Sequence, residues 1–424
     1  MNGLPRFPAG KRNPMVAGVN RSLFRDELIT SLLDTDAYKI HMMQVVFERY
    51  PTAWVKYRFH CRSQENLAAY ADDVRQAILK LQRLRFSDDQ LRYLRTRGEI
   101  KPAFVDYLKR FRFDPARHVT VAIDAGQLAI EVEGPWLDTI LYEIPVLAIV
   151  SEIRNRRRFG EVPEEAIGRT LRHKVERLKT EVQRRGLTEF RFADFGTRRR
   201  FSYAIQREVV EYMVNEIPEH FAGTSNYHLA REFQLPAIGT MAHEFIMAHQ
   251  ALVPAQESQR RALDVWSDVY RGQFAVALTD TISSDAFLKD FDARRSQQYQ
   301  GVRHDSGDPI RWGEKFISHF ERLGIDPMER TLTFSDSLTF DRALDIAQHF
   351  QGRTQTFFGI GTYLTNDLGD YATEQGVPYT PLSIVMKMVE CNGQPVAKIS
   401  DDPGKSMSID DTYVATLRQH FASA

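Results

Sequence analysis

Cysteine is nearly absent: Cys61 and Cys391 are the only two in 424 residues, and neither belongs to a CxxC pair. That argues against a disulfide framework and a cysteine zinc site, and it suits a reducing compartment. The expected location is the cytoplasm. Long apolar runs are missing too. A membrane-spanning helix needs about 18 apolar residues, and the richest stretch, Ile140 to Val150, is broken by Glu143 and Pro145. Charge of one sign is lacking, since 56 basic side chains face 56 acidic ones. The chain therefore has no broad basic field for nucleic acid or an anionic membrane, and neither is an expected partner. The first residues hold Pro5, Pro8, Gly10, Lys11, Arg12, Pro14 and Gly18 around no apolar core. Residues 1–24 read as a flexible leader and not as a secretory signal. GxSxG, HExxH, GxxxxGK[ST] and the GxGxxG dinucleotide register are all absent, which removes the common hydrolase, zincin, P-loop and Rossmann readings.

What is present is enough chain for two domains, with a 43% apolar fraction that can fill large cores. In the first part, Trp54 to Arg62 alternates like a half-buried strand. Leu67 to Leu84 is amphipathic at helical spacing, and Ser87 is placed to cap the next helix. Val119 to Glu133 reads as a hairpin around Ala125-Gly126-Gln127, and Pro135 opens a helical stretch through Arg158. Past residue 185 the pattern changes. Short apolar runs end in small or polar residues, each with a helical pattern after it: Phe190 to Phe195, Phe221 to Ser225, Pro236 to Thr240, Phe274 to Asp280, Val302 to Asp305, Thr331 to Asp336 and Thr356 to Gly361. Such recurrence predicts parallel βα units, closed into a barrel or left as an open sheet. A barrel is favoured because the chemistry-bearing residues all fall at strand C-terminal ends, which there share one face. Ile384 to Ile399 returns to alternation with Asn392-Gly393 as a turn, and it is expected to join the N-terminal sheet.

Four constellations stand out. Gly359-Ile-Gly361-Thr362 ends the last run, where glycines let backbone N–H groups approach a phosphate; alone, it reads as a tight turn. Arg303-His-Asp305-Ser-Gly-Asp308-Pro309 concentrates a cation, two carboxylates and a hydroxyl. Asp308 suits a helix N-cap with Pro309 at the first helical position, while Arg303 and Asp305 face a site. Carboxylates there can bind ribose hydroxyls or hold hydrated Mg²⁺. His243-Glu244 begins a helix just past Thr240, where an imidazole can accept a phosphoryl group; Glu244 or Asp280 would fix its tautomer. Asp194-Phe195-Gly-Thr-Arg198-Arg199-Arg200 offers a ring to stack on a planar base and a guanidinium for a carboxylate. At least one of the three arginines is expected merely to begin an exposed helix.

With Asp34-Thr-Asp36-Ala-Tyr38-Lys39 and Gly223-Thr-Ser225-Asn226, these motifs stand in the order of a known family. From about Ser31 onward the chain closely resembles the bacterial nicotinate phosphoribosyltransferases. The resemblance implies an α/β protein of the type II phosphoribosyltransferase fold: an irregular α/β barrel over 151–380 beside a discontinuous α/β domain over 25–150 and 381–424. It implies a homodimer with sites at the subunit interface. The implied reaction takes nicotinate and phosphoribosyl pyrophosphate to nicotinate mononucleotide and pyrophosphate, with Mg²⁺, and couples it to ATP through a phosphohistidine. By motif, His243 is the phosphorylated residue, with Glu244 and Asp280 as its catalytic companions. Phe195 stacks on the base, and Tyr38 covers the other face from the neighbouring subunit. Arg198 and Ser225 meet the carboxylate. Arg303, Asp305 and Asp336 surround the ribose and its pyrophosphate, and Gly359, Gly361 and Thr362 hold the 5′-phosphate. The Mg²⁺ is expected mainly on the pyrophosphate.

The nicotinamide-using relatives are the nearest rival. They typically carry an aspartate where this sequence has Ser225. A hydroxyl can donate to an acid, whereas a carboxylate would repel it. A barrel lyase would need a lysine in the strand-end motifs, and those motifs contain none.

Overall fold

The structure, a computed structural model, describes residues 27–422 apart from 64, 161, 403–405 and 407. The leader expected over 1–24 lies outside the described residues. Two sheets organise the rest. The first is antiparallel and contains β1 (Trp54–Cys61), β2 (Val119–Asp124), β3 (Gln127–Pro135), β10 (Ile384–Cys391) and β11 (Gln394–Pro395), in the order β11-β10-β1-β3-β2. The second contains β4 (Phe192–Asp194), β5 (Phe221–Thr224), β6 (Val276–Leu278), β7 (Gly301–His304), β8 (Thr331–Phe334) and β9 (Gln355–Ile360), in the order β5-β4-β9-β8-β7-β6, all parallel.

The alternation in β1 buries Val55, Tyr57 and Phe59 and turns Trp54 and Arg58 outward. Both hairpin turns take positive φ at two successive residues, Ala125 (46°) with Gly126 (77°) and Asn392 (50°) with Gly393 (74°). That is the geometry tight two-residue hairpins need, and Asn-Gly supplies it readily. The second hairpin joins β10 to β11, and β10 also pairs antiparallel with β1, so chain from the C-terminal part lies inside the sheet begun by the N-terminal part.

Of the seven apolar runs, six are parallel strands. Pro236 to Thr240 is bridged only at Ala237, opposite Thr224. Pro236 has no N–H to give a ladder, and a Cβ at Gly239 would come within 2.8 Å of the Tyr38 nitrogen. The segment still spans the gap between the edge strands: Ile238 N donates to Thr224 O (2.9 Å), and Thr240 Oγ1 donates to Val276 O (3.0 Å). The ring of strands thus closes through one irregular segment instead of a seventh strand.

Ser87 caps its helix through a full capping box, and Asp308 caps the helix Pro309–Arg322 with Pro309 first. The helix expected from Arg199 begins later. A short turn over Thr197–Arg199 precedes it, Ser202 is the cap, and the helix runs Tyr203–Glu216. One continuous apolar core joins both sheets. No helix among the described residues is long and apolar enough to cross a membrane.

Candidate active site

The C-terminal ends of the parallel strands face the antiparallel sheet, and the site forms between them. At one end lie the three arginines, and they divide the work. Arg200 is fully buried and grips Asp34 with two nitrogens (2.6 and 2.8 Å), which holds the Asp34 carboxyl below its usual range although burial opposes the charge. Arg199 donates to the Ile384 carbonyl (2.9 Å) and so ties this loop to β10. Arg198 makes no hydrogen bond to any described residue; its ion-pair partner is Glu143, at 3.8 Å. None of the three begins an exposed helix, because each is turned inward. Asp194 is structural as well. It accepts from Gly196 N, Gln206 and Thr224 (2.7, 2.8 and 2.8 Å) and locks two strand ends together.

Near Arg198 lie Tyr38 and Asp36, with Ser225 bonded to Asp36, and Phe195 stands three residues before it in the chain. Phe195 N donates to Ile360 O (2.8 Å), which lays the ring over Gly359, where a Cβ would meet ring carbons at 2.3 Å. Gly359 is therefore needed to seat the aromatic ring, a role its motif did not reveal. Tyr38 belongs to the same chain as the rest of the cluster. Burial, with the carboxylates Glu143 and Asp36 nearby, holds its phenol well above the usual range. The Ser225 hydroxyl donates to Asp36 Oδ1 (2.6 Å), so its one proton is already committed. Burial pushes Asp36 up to about 6, against the pull of Ser225 and Arg198.

At the other end, His243 opens the helix His243–Leu252, with Nε2 2.8 Å from Asp280 Oδ1 and 3.7 Å from Asp305 Oδ2. Asp280 Oδ2 accepts from Ser306 (2.6 Å) and from Lys398 Nζ (3.0 Å), and Lys398 reaches Asp305 at 3.9 Å. Burial and the adjacent Lys398 push His243 down to about 4, which keeps the imidazole neutral. Burial opposes charge on Asp280 as well, yet its neighbours hold it ionised, well below the usual range. Asp305 is likewise lowered, with His243 when it carries a proton, and Lys398, outweighing burial. Glu244 does not touch the imidazole. Its Oε2 lies 2.5 Å from Lys39 Nζ, and Lys39 also holds Glu143 Oε2 at 2.6 Å. Burial pushes Glu244 up to about 7. The nitrogen and carboxylate oxygens of His243, Asp280 and Asp305 all lie within 4.8 Å of one another. Lys398 already sits on both carboxylates, so its ammonium stands where a chelated ion would be drawn.

Arg303 lies near the end of β7 with its Nε buried and without a hydrogen-bond partner. Asp336 follows β8, and Gly361 and Thr362 head a single helical turn after β9. Four further cations were not legible as site residues: Arg62 just past β1, Arg199, Lys387 within β10 and Lys398 past β11. Burial together with Lys398 and Arg198 brings Lys387 to about 7, and burial together with Arg198 and Arg62 brings Arg199 to about 9. Arg62 is lowered by burial and by Arg198. Positive charge crowded this way favours an anion. The only sequence signal was basic residues recurring in or beside alternating strands, which ordinarily marks a solvated face.

Parallel strands ending in carboxylates and a glycine pair, beside an antiparallel sheet that brings cations, define a type II phosphoribosyltransferase fold. The family model for the nicotinate phosphoribosyltransferase N-terminal domain matches residues 33–151, and that for the nicotinate phosphoribosyltransferase family matches 190–424. The chain is 51% identical over 406 residues to the nicotinate phosphoribosyltransferase of Vibrio parahaemolyticus, covering 94% of this chain and 93% of that one. It is 49% identical over 401 residues to nicotinate phosphoribosyltransferase 1 of Pseudomonas aeruginosa, at 94% and 98% coverage. The crystal structure of the Vibrio cholerae nicotinate phosphoribosyltransferase superposes with a TM-score of 0.92 at 48% identity, covering 95% of this chain and 96% of that one. This chain belongs to the nicotinate phosphoribosyltransferase family.

Proposed function

We propose that this protein joins nicotinate to phosphoribosyl pyrophosphate, giving nicotinate mononucleotide and pyrophosphate, and couples the transfer to ATP hydrolysis through a phosphohistidine at His243. The observation that carries the choice of substrate is Arg198. In a row of three buried or half-buried arginines it alone makes no hydrogen bond to a described residue, and Phe195, three residues before it, has its ring seated on glycine. A planar aromatic acid is the ligand such a pair suits. Ser225 adds no negative charge there, although its proton is spent on Asp36.

In this reading Phe195 and Tyr38 sandwich the pyridine ring and Arg198 orients it by its carboxylate, so that the ring nitrogen faces C1 of the ribose. Gly361 and Thr362 hold the 5′-phosphate, while Arg303, Asp305 and Asp336 surround the ribose. Arg62, Lys387 and Lys398 receive the diphosphate. The bond from C1 to the pyrophosphate oxygen breaks as the bond to the ring nitrogen forms. The departing electrons leave on pyrophosphate, and carboxylates stabilise the cationic sugar. The pyridine nitrogen already has its lone pair, so positioning supplies most of the acceleration. Mg²⁺, when bound, neutralises charge on the leaving group. The residues fit it as an ion carried on the pyrophosphate beside the partly exposed Asp305, not as one chelated by His243, Asp280 and Asp305, because Lys398 and Ser306 already occupy Asp280. His243 Nε2 is committed to Asp280, which leaves Nδ1 as the nucleophile for the γ-phosphoryl of ATP.

We also propose the division into 25–150 with 381–424 and 151–380, a cytoplasmic location and a homodimer with its sites at the subunit interface. The test is a panel of nicotinate, nicotinamide and quinolinate with phosphoribosyl pyrophosphate, each with and without ATP. Nicotinate mononucleotide is the expected product, formed faster with ATP. Preferential turnover of nicotinamide or quinolinate would overturn the reading.

A further inference from the structure

Glu143 and Lys39 have no part in the reaction as described, yet both are buried beside it. Lys39 is wholly buried and sits between two carboxylates, Glu143 Oε2 at 2.6 Å and Glu244 Oε2 at 2.5 Å. The other oxygen of Glu143 faces Arg198, with Oε1 3.8 Å from Nη1. A chain of charges therefore runs from Arg198 through Glu143 and Lys39 to Glu244, next to His243. Such a cluster is a poor source of stability, because desolvating its ionisable groups offsets most of their attraction.

We infer that Glu143 is a positioning residue for Arg198, with Lys39 as its fixed mount, and that it aims the guanidinium at the carboxylate of the base. The inference rests on the reading that Arg198 meets that carboxylate. A separation of 3.8 Å is too long for a hydrogen bond, so Glu143 steers the guanidinium without occupying its N–H groups. Arg200 is the contrast: wholly buried and gripped by Asp34 through both terminal nitrogens, it is not presented to a ligand. Without its steering partner, Arg198 would lose more rotamer freedom each time the base binds. Removing the Glu143 charge would also remove an anion that competes for Arg198, an opposite effect that a lowered nicotinate KM would reveal.

The experiment is initial-rate kinetics on Glu143→Gln, Arg198→Gln and the double variant, with melting temperatures measured alongside. Glu143→Gln is expected to raise KM for nicotinate by about five- to thirty-fold, with kcat and the KM for phosphoribosyl pyrophosphate changing less than about twofold. In the Arg198→Gln background the same change adds nothing to the nicotinate KM, because Glu143 acts only through Arg198. Glu143→Asp, which keeps the charge on Lys39 but withdraws it from Arg198, shifts the nicotinate KM in the same direction and serves if the glutamine variant fails to fold. An unchanged or lowered nicotinate KM overturns the inference. So do equal rises in both KM values with a lowered melting temperature, or additive effects in the double variant. If Arg198→Gln alone leaves the nicotinate KM unchanged, the base reading itself falls, and that result is distinct from the others.

Discussion

Where the parallel strands end, the side chains in the site are mostly carboxylates and a glycine pair: Asp280 after β6, Asp305 after β7, Asp336 after β8 and Gly359 with Gly361 at β9. Where the antiparallel sheet passes the same space, the side chains are cations: Arg62 after β1, Lys387 within β10 and Lys398 after β11. A sheet of either kind alone would hold charge of one sign. The seam between them lets each sign be desolvated against the other, which is why Asp280 stays ionised while buried and Asp305 while partly buried, and why Lys398 pushes His243 towards neutrality. A substrate with a cationic sugar and a polyanionic leaving group needs both halves.

Breaking the seam at its most sensitive point should have the largest effect. His243→Ala is expected to abolish phosphoprotein formation from ATP labelled at the γ-phosphate, while slow ATP-independent transfer survives because the histidine does not touch the sugar. Acid-labile, base-stable label on the wild type and none on the variant is the expected gel result. Undiminished label would place the phosphoryl group elsewhere. Next comes the cationic half. Lys387→Met should raise KM for phosphoribosyl pyrophosphate about ten- to hundred-fold, the scale of one charge-assisted contact. The Lys387 pKa lies near 7, so its ammonium is present below that pH and lost above it. Wild-type affinity for phosphoribosyl pyrophosphate should therefore weaken from pH 7 to 9 more than that of the variant, as titration calorimetry would reveal.

The two halves also differ in how far the sequence discloses them. Carboxylates at strand ends were legible because parallel βα units place their chemistry there as a rule of topology, and Asp280, Asp305 and His243 did converge. The turns Ala125-Gly126 and Asn392-Gly393, the capping box at Ser87 and the cap at Asp308 were legible from local chemistry alone. Lys387 and Lys398 were not, because alternation in a strand says which residues share a face and nothing about what lies opposite. Arg199 and Arg200 misled for a related reason: a basic run before a helix ordinarily faces water, and only the fold brings Asp34 and the Ile384 carbonyl to meet it. The long helix Glu164–Arg185 was missed despite its acidic start, basic end and Gly186 in the left-handed conformation. The seventh run gave way to an irregular segment because Pro236 and Gly239 serve closure and Tyr38 before the ladder.

Smaller effects sharpen the contrast. Gly359→Ala should push the Phe195 ring off its seat and raise KM for nicotinate about tenfold, as overpacking of ~1–3 kcal/mol would. Had Gly359 served the phosphate alone, the KM for phosphoribosyl pyrophosphate would rise instead. The smallest expected effect is on stability in acid. His243 falls from its ordinary 6.5 to about 4 in the fold. The unfolded chain therefore binds the extra proton between those values, and stability drops as pH falls through that window. His243→Gln should lose less melting temperature than the wild type between pH 7 and 4.5. An equal loss would mean the imidazole is not held neutral.

The most direct test is a two-by-two measurement of KM, with nicotinate and phosphoribosyl pyrophosphate each titrated against Arg198→Gln and Lys387→Met. A seam with a base end and a diphosphate end predicts a crossed result. Arg198→Gln raises KM for nicotinate and spares phosphoribosyl pyrophosphate, while Lys387→Met does the reverse. If either variant, still folded, weakened both substrates equally, the two ends would not be separate and the account of the site would be contradicted.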